Sequence, residues 1–97
     1  MNEIDQIIKN YDPEKVILFG SRVKSNSKED SDYDFLIIKD TKTRRLNRRE
    51  EALEGIYLKV PIDLLILTPE EIEYLKKMKS EFLKEILDEG VVVYEKR

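Results

Sequence analysis

Apolar positions along the chain keep two rhythms. Ile4, Ile7 and Ile8 recur at helical spacing and predict a short amphipathic helix over residues 2–10, which Asp12-Pro13 ends. Val16, Ile17, Leu18 and Phe19 follow one another without interruption and predict a buried strand in Lys15–Gly20, stopped by the glycine. Residues 24–31 are polar throughout and read as an exposed loop. A second strand is expected over Asp32–Ile38. Residues 43–58 begin basic and then carry Leu46, Ala52, Leu53 and Ile56, the pattern of a helix.

The second half is sharper. Pro61–Leu67 is apolar on both faces except at Asp63, as a central strand would be. Thr68-Pro69-Glu70-Glu71 carries a helix start, with Thr68 as N-cap and Glu71 completing a capping box, and that helix is expected to reach Met78. Ser80 opens another helix that Gly90 closes, and Val91–Tyr94 is a last short strand. The alternation predicts an α/β fold: a small mixed sheet with helices mainly on one face and the acidic residues on the open face. No internal repeat and no long linker divides the 97 residues, so a single domain over 1–97 is expected.

Composition then removes whole classes of chemistry. Without Cys or His, disulfides, thiol nucleophiles, ordinary zinc sites and histidine acid–base catalysis are excluded. Any metal must be held by oxygen, which points to Mg²⁺, Mn²⁺ or Ca²⁺. A net charge of −3 argues against general binding of nucleic acid. The first residues are polar and acidic and no apolar run approaches ~20 residues, so neither a signal peptide nor a membrane span is expected and the cytoplasm is the expected location.

The conspicuous residues are carboxylates. Residues two apart on a strand share a face, so Asp32 and Asp34 project together. Asp63 interrupts a strand whose neighbours are all apolar. If the second and third strands adjoin, the three meet. Two unit charges about 4 Å apart repel by about 1 kcal/mol in water and about 4 kcal/mol at an effective dielectric near 20, so such a cluster needs a basic partner or divalent cations. Three aspartates so placed can ligate two Mg²⁺ ions of a phosphoryl-transfer site, one acting on the attacking oxygen and the other on the leaving group. Gly20-Ser21 fits the same chemistry: the glycine leaves room for close approach, Ser21 offers an N–H and a hydroxyl to phosphate, and Arg22 could add charge.

Gly20-Ser21, ten further residues, Asp32-Tyr33-Asp34 preceded by Ser31, and a lone Asp63 in an apolar strand together resemble the DNA polymerase β-type nucleotidyltransferase superfamily. The small size is similar to its minimal nucleotidyltransferases, the MNT group. The run departs from many members at Ser25, where they carry glycine. The resemblance implies Gly20, Ser21 and Arg22 at the nucleotide phosphates, Asp32 and Asp34 as ligands of both metals, and Asp63 as a ligand of the catalytic metal and activator of the acceptor hydroxyl. It implies Mg²⁺, replaceable by Mn²⁺, and ATP as substrate. It also implies a HEPN-domain toxin as partner, with this chain as antitoxin and AMP transferred to a hydroxyl of that partner. The alternatives are an inert antitoxin acting by contact, and a subunit of a small-molecule nucleotidyltransferase.

Each residue also has an ordinary reading. Gly20-Ser21 alone is a strand-ending turn, Asp32 and Asp34 could be a solvated strand entrance, and Asp63 could face a Lys or Arg. The basic run Lys42, Arg44, Arg45, Arg48 and Arg49 reads as a solvated helix face. Tyr57, Tyr74 and Tyr94 read as packing residues.

Overall fold

The computed structural model describes residues 1–23 and 32–97. The polar loop of residues 24–31, with Ser25 and Ser31, lies outside the described residues. Helix α1 covers Asn2–Tyr11, strand β1 Lys15–Phe19, a 3-10 turn Gly20–Val23 and strand β2 Tyr33–Ile38. Then come α2 (Arg45–Ala52), β3 (Ile62–Leu67), α3 (Pro69–Lys77), α4 (Glu81–Glu89) and β4 (Val91–Glu95).

The strands form one mixed sheet in the order β3-β2-β1-β4. β2 and β3 run parallel, whereas β1 is antiparallel to both β2 and β4. The α/β class and the mixed sheet are as expected from the sequence. The helices are distributed differently. α1 and α2 cover one face through Ile4, Ile7, Tyr11 and Ala52, packed on Val16, Phe35, Ile37, Ile62 and Ile66. α3 and α4 cover the other through Ile72, Leu83 and Ile86, packed on Ile17, Leu36 and Leu67. Helices mainly on one face would have left Leu36 and Leu67 in water, and burying an aliphatic side chain of this size is worth about 1.5–3 kcal/mol. Two-sided strands therefore recruit helices on both sides.

Local chemistry sets the helix ends. The expected capping box is present: Glu71 N–H donates to Thr68 Oγ1 at 3.1 Å and Thr68 N–H donates to Glu71 Oε1 at 2.8 Å. Ser80 Oγ accepts from Leu83 N–H at 3.2 Å and opens α4. The helix expected over 43–58 is shorter. Its chain is extended at Arg44, and after Ala52 it turns through Gly55 at φ 75°, a backbone that favours glycine. Leu53 and Ile56 still pack against the core from beyond the helix end.

Arg48 is the main surprise of this region. It belongs to the basic run read as a solvated face, yet it is buried. Its guanidinium donates to Thr43 O at 2.9 Å, Ile66 O at 3.1 Å and Glu71 Oε1 at 2.7 Å, joining α2 to β3 and to the start of α3. Arg49 donates to Ile62 O at 3.1 Å, whereas Lys42, Arg44 and Arg45 are exposed, as a solvated face would be.

Candidate active site

The sheet places three ends together. β1 runs out at Phe19, whose register partner is Asp34 at the start of β2. Asp34 is in turn the register partner of Asp63 at the start of β3. Neighbouring strands lie about 4.8 Å apart, so these two side chains stand side by side. Asp34 shares its face with Leu36, and Asp63 shares its face with Leu65 and Leu67. The carboxylates therefore lie on the α3/α4 face, at its acidic end, and not on an open face.

The electrostatics follow from this placement. Asp34 is partly buried, and its carboxyl is held above the usual carboxylate range. Burial is the largest cause, followed by the charges of Asp63 and Asp32 and a hydrogen bond with Asp63. Among the described residues, no ion pair involves Asp32, Asp34 or Asp63. The salt bridge that could have explained Asp63 is absent from that set.

Asp32 stands just before β2 and is exposed. It is near enough to push Asp34 upward, but among the described residues no three carboxylates converge on a single ion position. Asp34 and Asp63 form the close pair and Asp32 flanks it. This donor set fits a hard divalent cation: the oxygens are anionic and adjacent, and no ion pair among the described residues involves them.

Gly20 is built into the same corner. Its φ is 81°, and a Cβ there would collide with the Asp34 carboxylate. The position needs glycine twice over, for backbone conformation and for space. Ser21 follows, exposed in the four-residue 3-10 turn. The Arg22 guanidinium carbon lies 4.2 Å from the centroid of the Tyr33 ring. Tyr33 packs toward the α1/α2 core, on the face opposite Asp34. A cavity of about 170 Å³ opens beside Gly20 among Phe19, Val23, Phe82 and Ile86, with Glu85 and Glu89 also lining it. None of the three aspartates lines this cavity.

Sequence reasoning missed Tyr33, the ring under Arg22; its place inside Asp32-Tyr33-Asp34 was the available signal. Among the described residues, no helix is long and apolar enough to cross a membrane. Comparison with curated proteins gives no match for the chain. The family described as Polymerase beta, Nucleotidyltransferase matches residues 2–97, nearly its whole length. With nearly its whole length matched, the chain that sets Asp34 against Asp63 beside Gly20 belongs to the polymerase beta nucleotidyltransferase family.

Proposed function

We propose that the chain is a Mg²⁺-dependent enzyme that transfers AMP from ATP to a hydroxyl group of a protein partner, a HEPN-domain toxin that it restrains as antitoxin. Membership of the family supports nucleotidyl transfer in general. The observation that carries the metal requirement is the Asp34–Asp63 pair: the two are register partners, Asp34 is partly buried with its carboxyl raised by burial and by the Asp63 charge, and no described ion pair involves either.

In the reaction the acceptor oxygen bonds to the α-phosphorus of ATP as the bond from that phosphorus to the pyrophosphate oxygen breaks. Pyrophosphate leaves and the hydroxyl proton passes to the Asp63 carboxylate. Asp32, Asp34 and Asp63 would hold Mg²⁺, or Mn²⁺ in its place, which supplies charge neutralisation at the phosphates and activates the acceptor oxygen. Gly20 keeps the backbone low enough for phosphate to approach the aspartates, and the Ser21 hydroxyl and N–H are exposed beside it. Arg22, whose guanidinium lies over the Tyr33 ring, would add positive charge for the nucleotide phosphates.

The described residues make one sheet with its covering helices, and in this reading the partner supplies the acceptor hydroxyl. The test is to incubate the chain with a HEPN-domain protein encoded beside it, ATP and Mg²⁺, and weigh the partner by mass spectrometry. Added AMP that disappears in Asp63→Asn, while ATP binding survives, is the expected result. Unmodified partner silenced equally by wild type and Asp63→Asn overturns the enzymatic reading in favour of restraint by contact.

A further inference from the structure

Asp63 stands in a place where a strand opens easily. β3 is an edge of the sheet, and Asp63 is its second residue. Residues 53–61 lead into it without helix or strand. An edge strand is paired along one side only, so its first residues are where the ladder frays. No ion pair among the described residues tethers the Asp63 carboxylate. Its position is therefore set through the backbone.

That backbone is held from both sides. Tyr33 N–H donates to Pro61 O at 3.0 Å, so the Pro61 carbonyl faces β2. Carbonyls alternate in direction along a strand, and the Ile62 carbonyl faces outward, away from the sheet. Arg49 of α2 takes it, donating to Ile62 O at 3.1 Å. The Ile62 carbonyl and the Asp63 N–H belong to one planar trans peptide unit and point in opposite directions. The Asp63 N–H accordingly faces β2, in the register that sets Asp63 against Asp34. Arg49 grips one end of this peptide unit and β2 the other, which fixes the tilt of the plane from which the Asp63 side chain departs. Burial of the Ile62 side chain in the α1/α2 core settles the face that Asp63 takes, but not this tilt. Arg48 holds a carbonyl of the same edge, Ile66 O at 3.1 Å, but that bond lies beyond the acidic end.

We propose that Arg49 is a positioning residue for Asp63: through the Ile62 carbonyl its guanidinium keeps the start of β3 on β2 and the Asp63 carboxylate against Asp34. Its consequence for chemistry rests on the proposed function, in which Asp63 takes the hydroxyl proton and helps hold the metal. Arg49 itself touches no reacting atom. It acts on the geometry of Asp63, and a small misplacement of a catalytic group costs rate more than it costs binding.

The test compares Arg49→Met, which keeps an apolar stem without a donor, with Arg49→Lys, which can still donate to a carbonyl. Arg49 is exposed, so neither replacement opens a cavity. Amide hydrogen exchange of the whole chain, followed by NMR, reads the placement directly. In Arg49→Met the Asp63 N–H should exchange about tenfold faster while those of Leu65 and Leu67 keep their wild-type rates, and Arg49→Lys should restore most of the protection. AMP transfer from ATP and Mg²⁺ to the HEPN-domain protein encoded beside the chain reads the consequence. In Arg49→Met kcat should fall about tenfold or more, with the KM for ATP within about twofold of wild type and recovery in Arg49→Lys. Unchanged Asp63 exchange, a rise spread evenly over β3, or faster local exchange with wild-type kcat would each overturn the proposal. A wild-type chain that transfers no AMP would instead overturn the proposed function, and the exchange rates would still decide whether Arg49 holds Asp63 in place.

Discussion

Asp34 and Glu71 are both partly buried carboxylates, and they are displaced in opposite directions. Burial raises Asp34, and the neighbours Asp63 and Asp32 raise it further. Burial also pulls Glu71 upward, but the Arg48 hydrogen bond, the Thr68 backbone N–H and the charges of Arg48 and Arg45 outweigh it and hold the group below the usual range. Glu71 is thus a completed structural joint, with a cation 2.7 Å away and a helix cap closed by the same oxygen. Asp34 is the reverse, an acid whose described neighbours oppose its charge. A fold tolerates that arrangement where a ligand completes it.

The largest expected effect comes from breaking the completed joint. Arg48→Met keeps much of the apolar stem but removes all three hydrogen bonds of the guanidinium. Loss of one partner from a buried, hydrogen-bonded ion pair should destabilise by about 3 kcal/mol, read as a lower urea midpoint with little change in slope. A variant as stable as wild type would remove Glu71 as the structural half of the contrast.

Gly20→Ala is next. It forces an L side chain into φ 81° and drives its Cβ into Asp34, for an expected loss of about 1–3 kcal/mol. The effect should be smaller in Gly20→Ala with Asp34→Ala, because removing the carboxylate relieves the clash and leaves only the backbone strain. Equal losses in the presence and absence of the Asp34 side chain would show that no contact couples the two.

Asp34→Asn should change stability by less and in the favourable direction. Removing a repelled, partly buried charge is expected to raise the stability of the metal-free protein by about 0.5–1 kcal/mol. In wild type, Mg²⁺ with ATP should raise the melting temperature because ligand binds only the folded chain, and EDTA should abolish the rise. In Asp32→Asn/Asp34→Asn the rise should vanish. A preserved metal response in the double variant would detach the aspartates from metal binding.

The two carboxylates also differed in how far the sequence revealed them. Asp63 was conspicuous because every neighbour in its strand is apolar, and Asp34 because its partner two residues away shares its face. Their meeting followed once β2 and β3 were neighbours, and the register pairs them directly. The Glu71 capping box was legible because its residues lie within one turn. Arg48 was not, because its partners Ile66 and Glu71 are 18 and 23 residues away and a basic run looks alike whether one of its members turns inward or not. The helices on both faces were similarly hidden: apolar strands state that both sides need cover, but not which helix supplies it.

The smallest expected effect is a change in the pH profile of metal-free stability, and its sign separates the two groups. A carboxyl raised in the fold binds its proton more readily folded than unfolded. Its favourable contribution is therefore fully present below its unfolded pKa and is lost as pH rises through the folded pKa, which for Asp34 lies above the usual range. A carboxyl lowered in the fold behaves oppositely: the contribution of Glu71 is present above its unfolded pKa and is lost as pH falls through a folded pKa below the usual range. Acidifying metal-free protein from neutral pH toward the carboxylate range should therefore relieve Asp34 first, and stability should hold level or rise slightly. Further acidification should lower it as Glu71 and the similarly depressed Asp12, paired with Lys96, take up protons. Urea unfolding at successive pH values in EDTA measures this. Asp34→Asn should remove the upper feature and keep the acid-side loss, whereas Glu71→Gln should lessen the acid-side loss and leave the upper feature. If Asp34→Asn leaves the upper part of the profile unchanged, Asp34 does not carry the unrelieved charge that distinguishes it from Glu71.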